Sequence, residues 1–174
     1  MTENQLGSVR LFEFLTDEER SEILEESQRA SYAAGEEIIS ERARAGSLFV
    51  LISGRVEVVK GVPGGDDRLL AEIDADESRT VVGERGLLSD SPASATVRAV
   101  TPVDAVRIPR HTFRRMVAEG RPAAFKLSYR IARTLAQRLV RLDEEVVETM
   151  RDLESRGETD LEAFRDRLVH DWAL

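Results

Sequence analysis

The chain of 174 residues contains no cysteine. Disulfides, thiolate nucleophiles, Cys-ligated zinc and iron–sulfur clusters are thereby excluded. Histidine is almost as scarce: His111 and His170 are the only two, which leaves little for a His-based metal site or a catalytic triad. Lysine is limited to Lys60 and Lys126, so the basic charge is nearly all arginine. No run approaches the roughly 18 apolar residues that a membrane span requires. Met1 to Val9 lacks the basic-then-apolar order of a secretory signal, so the expected location is cytoplasmic.

What is present is the composition of a folded soluble domain: 41% of residues are hydrophobic and 33% charged, which argues against a disordered chain. The net charge of −8 is a poor starting point for binding nucleic acid. Against that average, Arg107 to Arg141 carries ten basic residues and one acidic one, Glu119. Two readings stay open. The stretch is an anion or nucleic acid surface, or it is a helix face whose arginines meet solvent and acidic partners elsewhere in the fold or dimer.

The first segment reads as helix. Thr16 followed by Glu19 is a capping box: the hydroxyl accepts from a free amide of the first turn and the carboxylate reaches back. Asp17 and Glu18 suit the positive end of the helix dipole, and Ile23 and Leu24 extend an apolar face begun by Leu11, Phe12 and Leu15. From Ser31 to about Ile108 the period shortens. Runs at 37–39, 48–52, 56–59, 69–73, 95–100 and 104–108 are separated by Gly35, Ser53-Gly54, Pro63 to Asp66 and Thr101-Pro102. Short strands so punctuated predict a sandwich or barrel. Val56 and Val58 around Glu57 alternate as a strand with one buried face does.

From Arg110 the helical period returns. A short helix runs to about Gly120, and Pro122 then suits the first turn of a long one. Ile131, Leu135, Leu139, Leu142, Val146, Met150 and Leu153 recur in steps of four and three. At 1.5 Å per residue, 123–155 spans about 50 Å, longer than one side of a barrel this size can cover. The stripe therefore predicts a second copy of the same helix as partner. Gly157 should end that helix. Thr159 with Glu162, then Leu161, Phe164, Leu168 and Trp172, predict a short closing amphipathic helix. The expected organisation is 1–122, 123–156 and 157–174.

The order of these elements, with four motifs, resembles the cyclic nucleotide-binding domain family, as in catabolite activator-type regulators and protein kinase A regulatory subunits. Gly35-Glu36-Glu37-Ile38-Ile39 is similar to its early strand, and Leu48 to Val58 to its strand–Gly turn–strand. Val82-Gly83-Glu84-Arg85-Gly86-Leu87-Leu88 resembles its phosphate-binding cassette, and Ser94 to Ala99 the strand that follows. The resemblance implies an α+β fold: an antiparallel β-roll or jelly-roll barrel with an N-terminal helix, a short cassette helix and a long C-terminal helix. It implies cAMP or cGMP as candidate ligand, and no other cofactor or metal. It also implies that the cassette helix turns its first amides to the cyclic phosphate. In the family a Glu accepts from the ribose 2′-hydroxyl and an Arg before the next strand forks onto the phosphate.

Gly83 and Glu84 match that pair, but the position of the fork falls on Ala93, between Pro92 and Ser94. A buried anion without its counter-ion is costly, so tight binding of cAMP or cGMP is not expected. Arg85 stands where the family has an apolar residue and is the candidate substitute cation, acting with Gly83, Glu84 and Ser94. Arg79 and Arg98 read as surface residues. Arg42-Ala43-Arg44-Ala45-Gly46-Ser47 replaces the family's Gly- and Asp-rich turn. Leu142-Asp143 falls where some members place Thr-Ser to reach the base.

The residues beyond Met150 are too few for the helix-turn-helix domain of the full regulators, so DNA reading is not expected. Ser89, Ser91 and Ser94 have no base nearby in sequence and no nucleophile elbow. The expected function is a non-enzymatic regulatory module that dimerises through its long helix and signals to an unidentified protein partner. Nucleotide sensing at reduced affinity is the alternative.

Overall fold

The computed structural model describes residues 2–155 apart from Ala45 and Pro63, with side chains through Arg151. The closing helix expected from Thr159 to Trp172, and the side chain of Leu153, lie outside the described residues.

Two short helices open the chain, α1 (Glu3–Gly7) and α2 (Asp17–Glu25). Both start on a capping box. The Thr16 hydroxyl accepts from the Glu19 amide, while the Glu19 carboxylate accepts from the Thr16 amide at 3.0 Å. Thr2 and Gln5 repeat the pattern on α1, which the sequence reading missed. Eight strands follow: β1 (Gln28–Tyr32), β2 (Glu37–Ile39), β3 (Ser47–Ser53), β4 (Arg55–Lys60), β5 (Arg68–Asp74), β6 (Thr80–Val82), β7 (Thr96–Ala99) and β8 (Val103–Pro109). The cassette helix α3 (Arg85–Leu88) interrupts them after β6. Then come α4 (Arg110–Ala118) and α5 (Pro122–Ser155), the latter 34 residues long with proline at its first position.

The strands form two four-stranded antiparallel sheets, ordered β1-β8-β3-β6 and β2-β7-β4-β5. This is the expected β-roll, although the two sheets do not close into a barrel. Ile38, Phe49, Leu51, Val56, Val82, Val97, Ala99, Val103 and Ala105 from both sheets meet in one buried cluster. Tyr32 sets its ring edge-on to Phe49 at its margin. The inner strands of the first sheet, β3 and β8, carry buried residues on both faces. Leu48, Val50, Val106 and Ile108 point away from that cluster by strand alternation, yet none is more than 3% exposed. Leu6, Ile23, Phe113, Met116 and Leu127 on the helices, and Phe12 in the turn between α1 and α2, are buried as well.

The chain divides into two units, Met1–Ala132 and Arg133–Leu174. Ile131 is wholly buried in the first, so it leaves the stripe assigned to a partner helix. This first member of the stripe packs in the domain's own core.

Candidate functional site

The cassette begins where β6 ends. Val82 is buried, and Gly83 follows with φ +81°. A Cβ there would lie 2.4 Å from the Ser47 carbonyl oxygen, so the close approach of this turn to β3 requires glycine. Glu84, next in line, is buried in spite of its charge. Leu87 is buried and anchors the turn from below, while the amides of Gly86 and Leu87 donate to the carbonyls of Gly83 and Glu84 at 2.9 and 3.2 Å. Gly86 lies against the β2–β3 loop: a Cβ on it would sit 3.3 Å from Gly46 Cα. Val82 through Leu87 therefore form one folded turn.

The other end of the cassette is fixed by backbone. Ala93 is half-buried, its amide donating to the Ala43 carbonyl at 3.0 Å and its carbonyl accepting from the Arg42 amide at 2.9 Å. Arg42 takes φ +65°, the one non-glycine in the left-handed region among the described residues. Ser94 is exposed, and its carbonyl accepts from Lys60 Nζ at 2.5 Å. Arg85 is exposed too, its Nη2 donating to the Pro92 carbonyl at 2.5 Å. Residue 93 is thus held in place on both sides and carries only a methyl group, and Arg85 donates to the carbonyl just before it.

Residues that sequence reasoning missed hold this frame. Lys60 also donates to Glu41 at 2.6 Å, and the other Glu41 oxygen accepts from the Gly61 amide at 2.8 Å. The Lys60 ammonium, helped by that amide, keeps the Glu41 carboxyl below its usual range. Asp90, at the outer end of the cassette, accepts from Arg114 at 2.8 Å and Arg110 at 2.7 Å. Arg114 first, then Arg110, hold the Asp90 carboxyl low. Arg110 further donates to the Gly86 carbonyl, so it links α4 to both halves of the cassette. A lowered carboxyl contributes stability above its unfolded pKa of about 4 and loses it as the pH falls through the lower folded value. Melting temperature should therefore be insensitive to Glu41 and Asp90 at neutral pH and fall below that range. Asp90→Asn should flatten part of this acid limb. A limb unchanged in Asp90→Asn would contradict the assignment.

The basic stretch is mostly neutralised at home. Arg115 pairs with Glu26, Arg121 with Glu119, Glu22 and Glu26, Lys126 with Glu19, and Arg130 with Glu13. Arg130 also stacks over the Phe14 ring, 5.6 Å from its centre. The Lys126 ammonium holds the Glu19 carboxyl below its usual range. These pairs fit the reading of a helix face with acidic partners, not of a nucleic acid surface. Arg98 likewise pairs with Glu57 at 3.0 Å on the second sheet. Among the described residues, no group of acidic or histidine side chains could hold a metal ion, and no helix is long and apolar enough to cross a membrane.

An antiparallel β-roll with a glycine-turned cassette after its sixth strand and a long helix at its end defines a class. The model of that class, the cyclic nucleotide-binding domain, matches residues 29–119. The chain belongs to this family. A cAMP-dependent protein kinase regulatory subunit of Mycosarcoma maydis is 32% identical over 106 residues, 61% of this chain and 19% of the relative. The chain thus spans about a fifth of that relative's length. The Thermus thermophilus catabolite activator protein is 26% identical, with TM-score 0.66 over 85% of this chain and 72% of that one. A cyclic nucleotide-binding domain from Methylobacillus flagellatus shares the fold at TM-score 0.69 and 19% identity, covering 84% and 80% of the two chains.

Proposed function

We propose that this chain is a non-enzymatic regulatory module of the family that binds cAMP or cGMP weakly or not at all, and that it acts by dimerising and contacting a protein partner. The observation that carries this reading is the alanine at position 93, set in a frame otherwise kept. Gly83 takes a tight turn, Glu84 is buried at the cassette and Leu87 anchors it, which supports a backbone frame like the family's. The side chain at 93 supplies no charge. Each charge-assisted bond to a desolvated anion is worth about 1.5–3 kcal/mol, and a fork supplies two. Losing both lowers affinity by two or more orders of magnitude.

A second reading keeps nucleotide sensing, with Arg85 as the cation. Its favouring observation is the contact of Arg85 with the Pro92 carbonyl, which puts a guanidinium next to residue 93. An amide NMR titration with cAMP and cGMP separates the two. On the first reading, shifts centre on residues 82–94 and stay unsaturated below millimolar ligand, in Arg85→Ala as in the unchanged protein. Saturation at micromolar ligand that Arg85→Ala abolishes would establish the second. No shift in the cassette at any concentration would remove weak binding there and leave a module that takes no nucleotide.

Dimerisation rests on the far part of α5. Leu139 and Leu142 are more than half exposed there, and Leu135, Val146 and Met150 are half-buried. An apolar stripe of that length calls for a partner surface, and a second copy of the helix supplies one of matching shape and period.

A further inference from the structure

The apolar stripe of α5 is mirrored in the sequence on the far side of Gly157. Leu153, Met150, Val146 and Leu142 stand four, seven, eleven and fifteen residues before that glycine. Leu161, Phe164, Leu168 and Trp172 stand four, seven, eleven and fifteen residues after it. Two antiparallel helices joined at Gly157 require this mirror. Residues equally far from the turn come level, so each apolar side chain of one helix meets one of the other.

Two local signals favour a turn at that point over a straight continuation. Glycine suits the left-handed residue that closes a helix. Thr159 with Glu162 is the capping box of a new start. The connection is then Arg156 to Glu158, within the two to five residues of a helical hairpin.

The surface that such a hairpin would cover is open. Leu142 is 55% exposed, and Val146 and Met150 are half-buried. The chain beyond α5 has the length to cover it. A helix from Thr159 to Trp172 rises about 21 Å at 1.5 Å per residue, the same as α5 from Leu142 to Ser155. A segment tethered by so short a connection also reaches this face at a high effective concentration, in the millimolar range or above.

We infer that the segment from Thr159 to Trp172 folds back on its own chain as a helix and docks antiparallel on Leu142, Val146 and Met150 of α5. The inference goes beyond the dimer reading and does not rest on it. Leu135 and Leu139 lie outside the mirrored stretch and stay open to a second copy, so the hairpin shortens the seam that a second copy can use.

The lack of cysteine and the single tryptophan make the test direct. Val146→Cys with Leu168→Cys is prepared in the full chain, and Glu144→Cys with Leu168→Cys is the control, since Glu144 is exposed and two residues round the helix from Val146. A disulfide needs Cα atoms within about 7 Å. In the hairpin, residues 146 and 168 are level. In one straight helix they would stand about 33 Å apart. The expected result on mild oxidation is a disulfide within one chain for the first pair and little for the control. Equal yields from both pairs, a disulfide only between chains, or none from the first pair would overturn the hairpin. Fluorescence of Trp172 gives a second reading without cysteines. Its emission should lie to the blue of free tryptophan at every dilution, and Leu142→Asp should shift it to the red. Emission that Leu142→Asp leaves unchanged would also overturn the docking. A monomeric mass in light scattering would remove the dimer reading and leave this one standing.

Discussion

Ala93→Arg raises affinity for cAMP by about a hundredfold or more, the gain expected when two charge-assisted bonds replace none at a desolvated phosphate. The backbone that would carry the new side chain is already fixed. Residue 93 is already bonded through its amide to Ala43 and through its carbonyl to Arg42, and Lys60 steadies the next residue through the Ser94 carbonyl. A guanidinium grafted there would begin from a fixed point, so little of its binding energy is spent on ordering the loop. The check is calorimetry on the variant, with Glu84→Ala in the same background as control. That second change should remove most of the gain, because on the proposed reading the buried Glu84 accepts from the ribose hydroxyl. Unchanged affinity in Ala93→Arg would mean that the cavity, and not the charge, has been lost.

On the proposed dimer reading, Leu139→Asp leaves the chain monomeric. Leu139 is 60% exposed in the single chain, yet it stands in the middle of the stripe, and in a pair it would be buried. Two unpaired carboxylates would then enter the seam, one from each copy, and an unpaired buried charge costs about 3–5 kcal/mol. Two of them exceed what a helix pair of this length can offset, so light scattering should report a monomer at concentrations where the unchanged chain is a dimer. Because Leu139 is exposed in the monomer, melting of the β-roll should shift little. A dimeric mass in Leu139→Asp would place the interface elsewhere.

The strands most legible in the sequence are those whose apolar residues are contiguous or alternate. The run Leu48 to Ile52 gave β3, and Val56 and Val58 around Glu57 gave β4. β1 was not read because Gln28 to Tyr32 forms an edge strand of half-exposed and exposed residues with no apolar run. β6 was missed because three residues carry no period. Pro122 as helix start and the Thr16 capping box are local rules, and both hold in the structure. The cassette was legible as a motif through Gly83 and Glu84. Its supports were not, since Lys60 to Ser94, Arg42 to Ala93 and Arg110 to Asp90 join residues distant in sequence whose spacing carries no signal. Ile131 shows the same limit from the other side. Its period placed it on the apolar face, but only folding assigns that part of the face to the domain's own core.

On the proposed reading, the guanidinium missing at position 93 leaves this family member without useful affinity for cAMP. Isothermal titration calorimetry of the unchanged chain with cAMP, at moderate salt and neutral pH, tests it most directly. The expected outcome is no saturable heat at micromolar ligand. A one-to-one isotherm with a micromolar or tighter dissociation constant would contradict the claim.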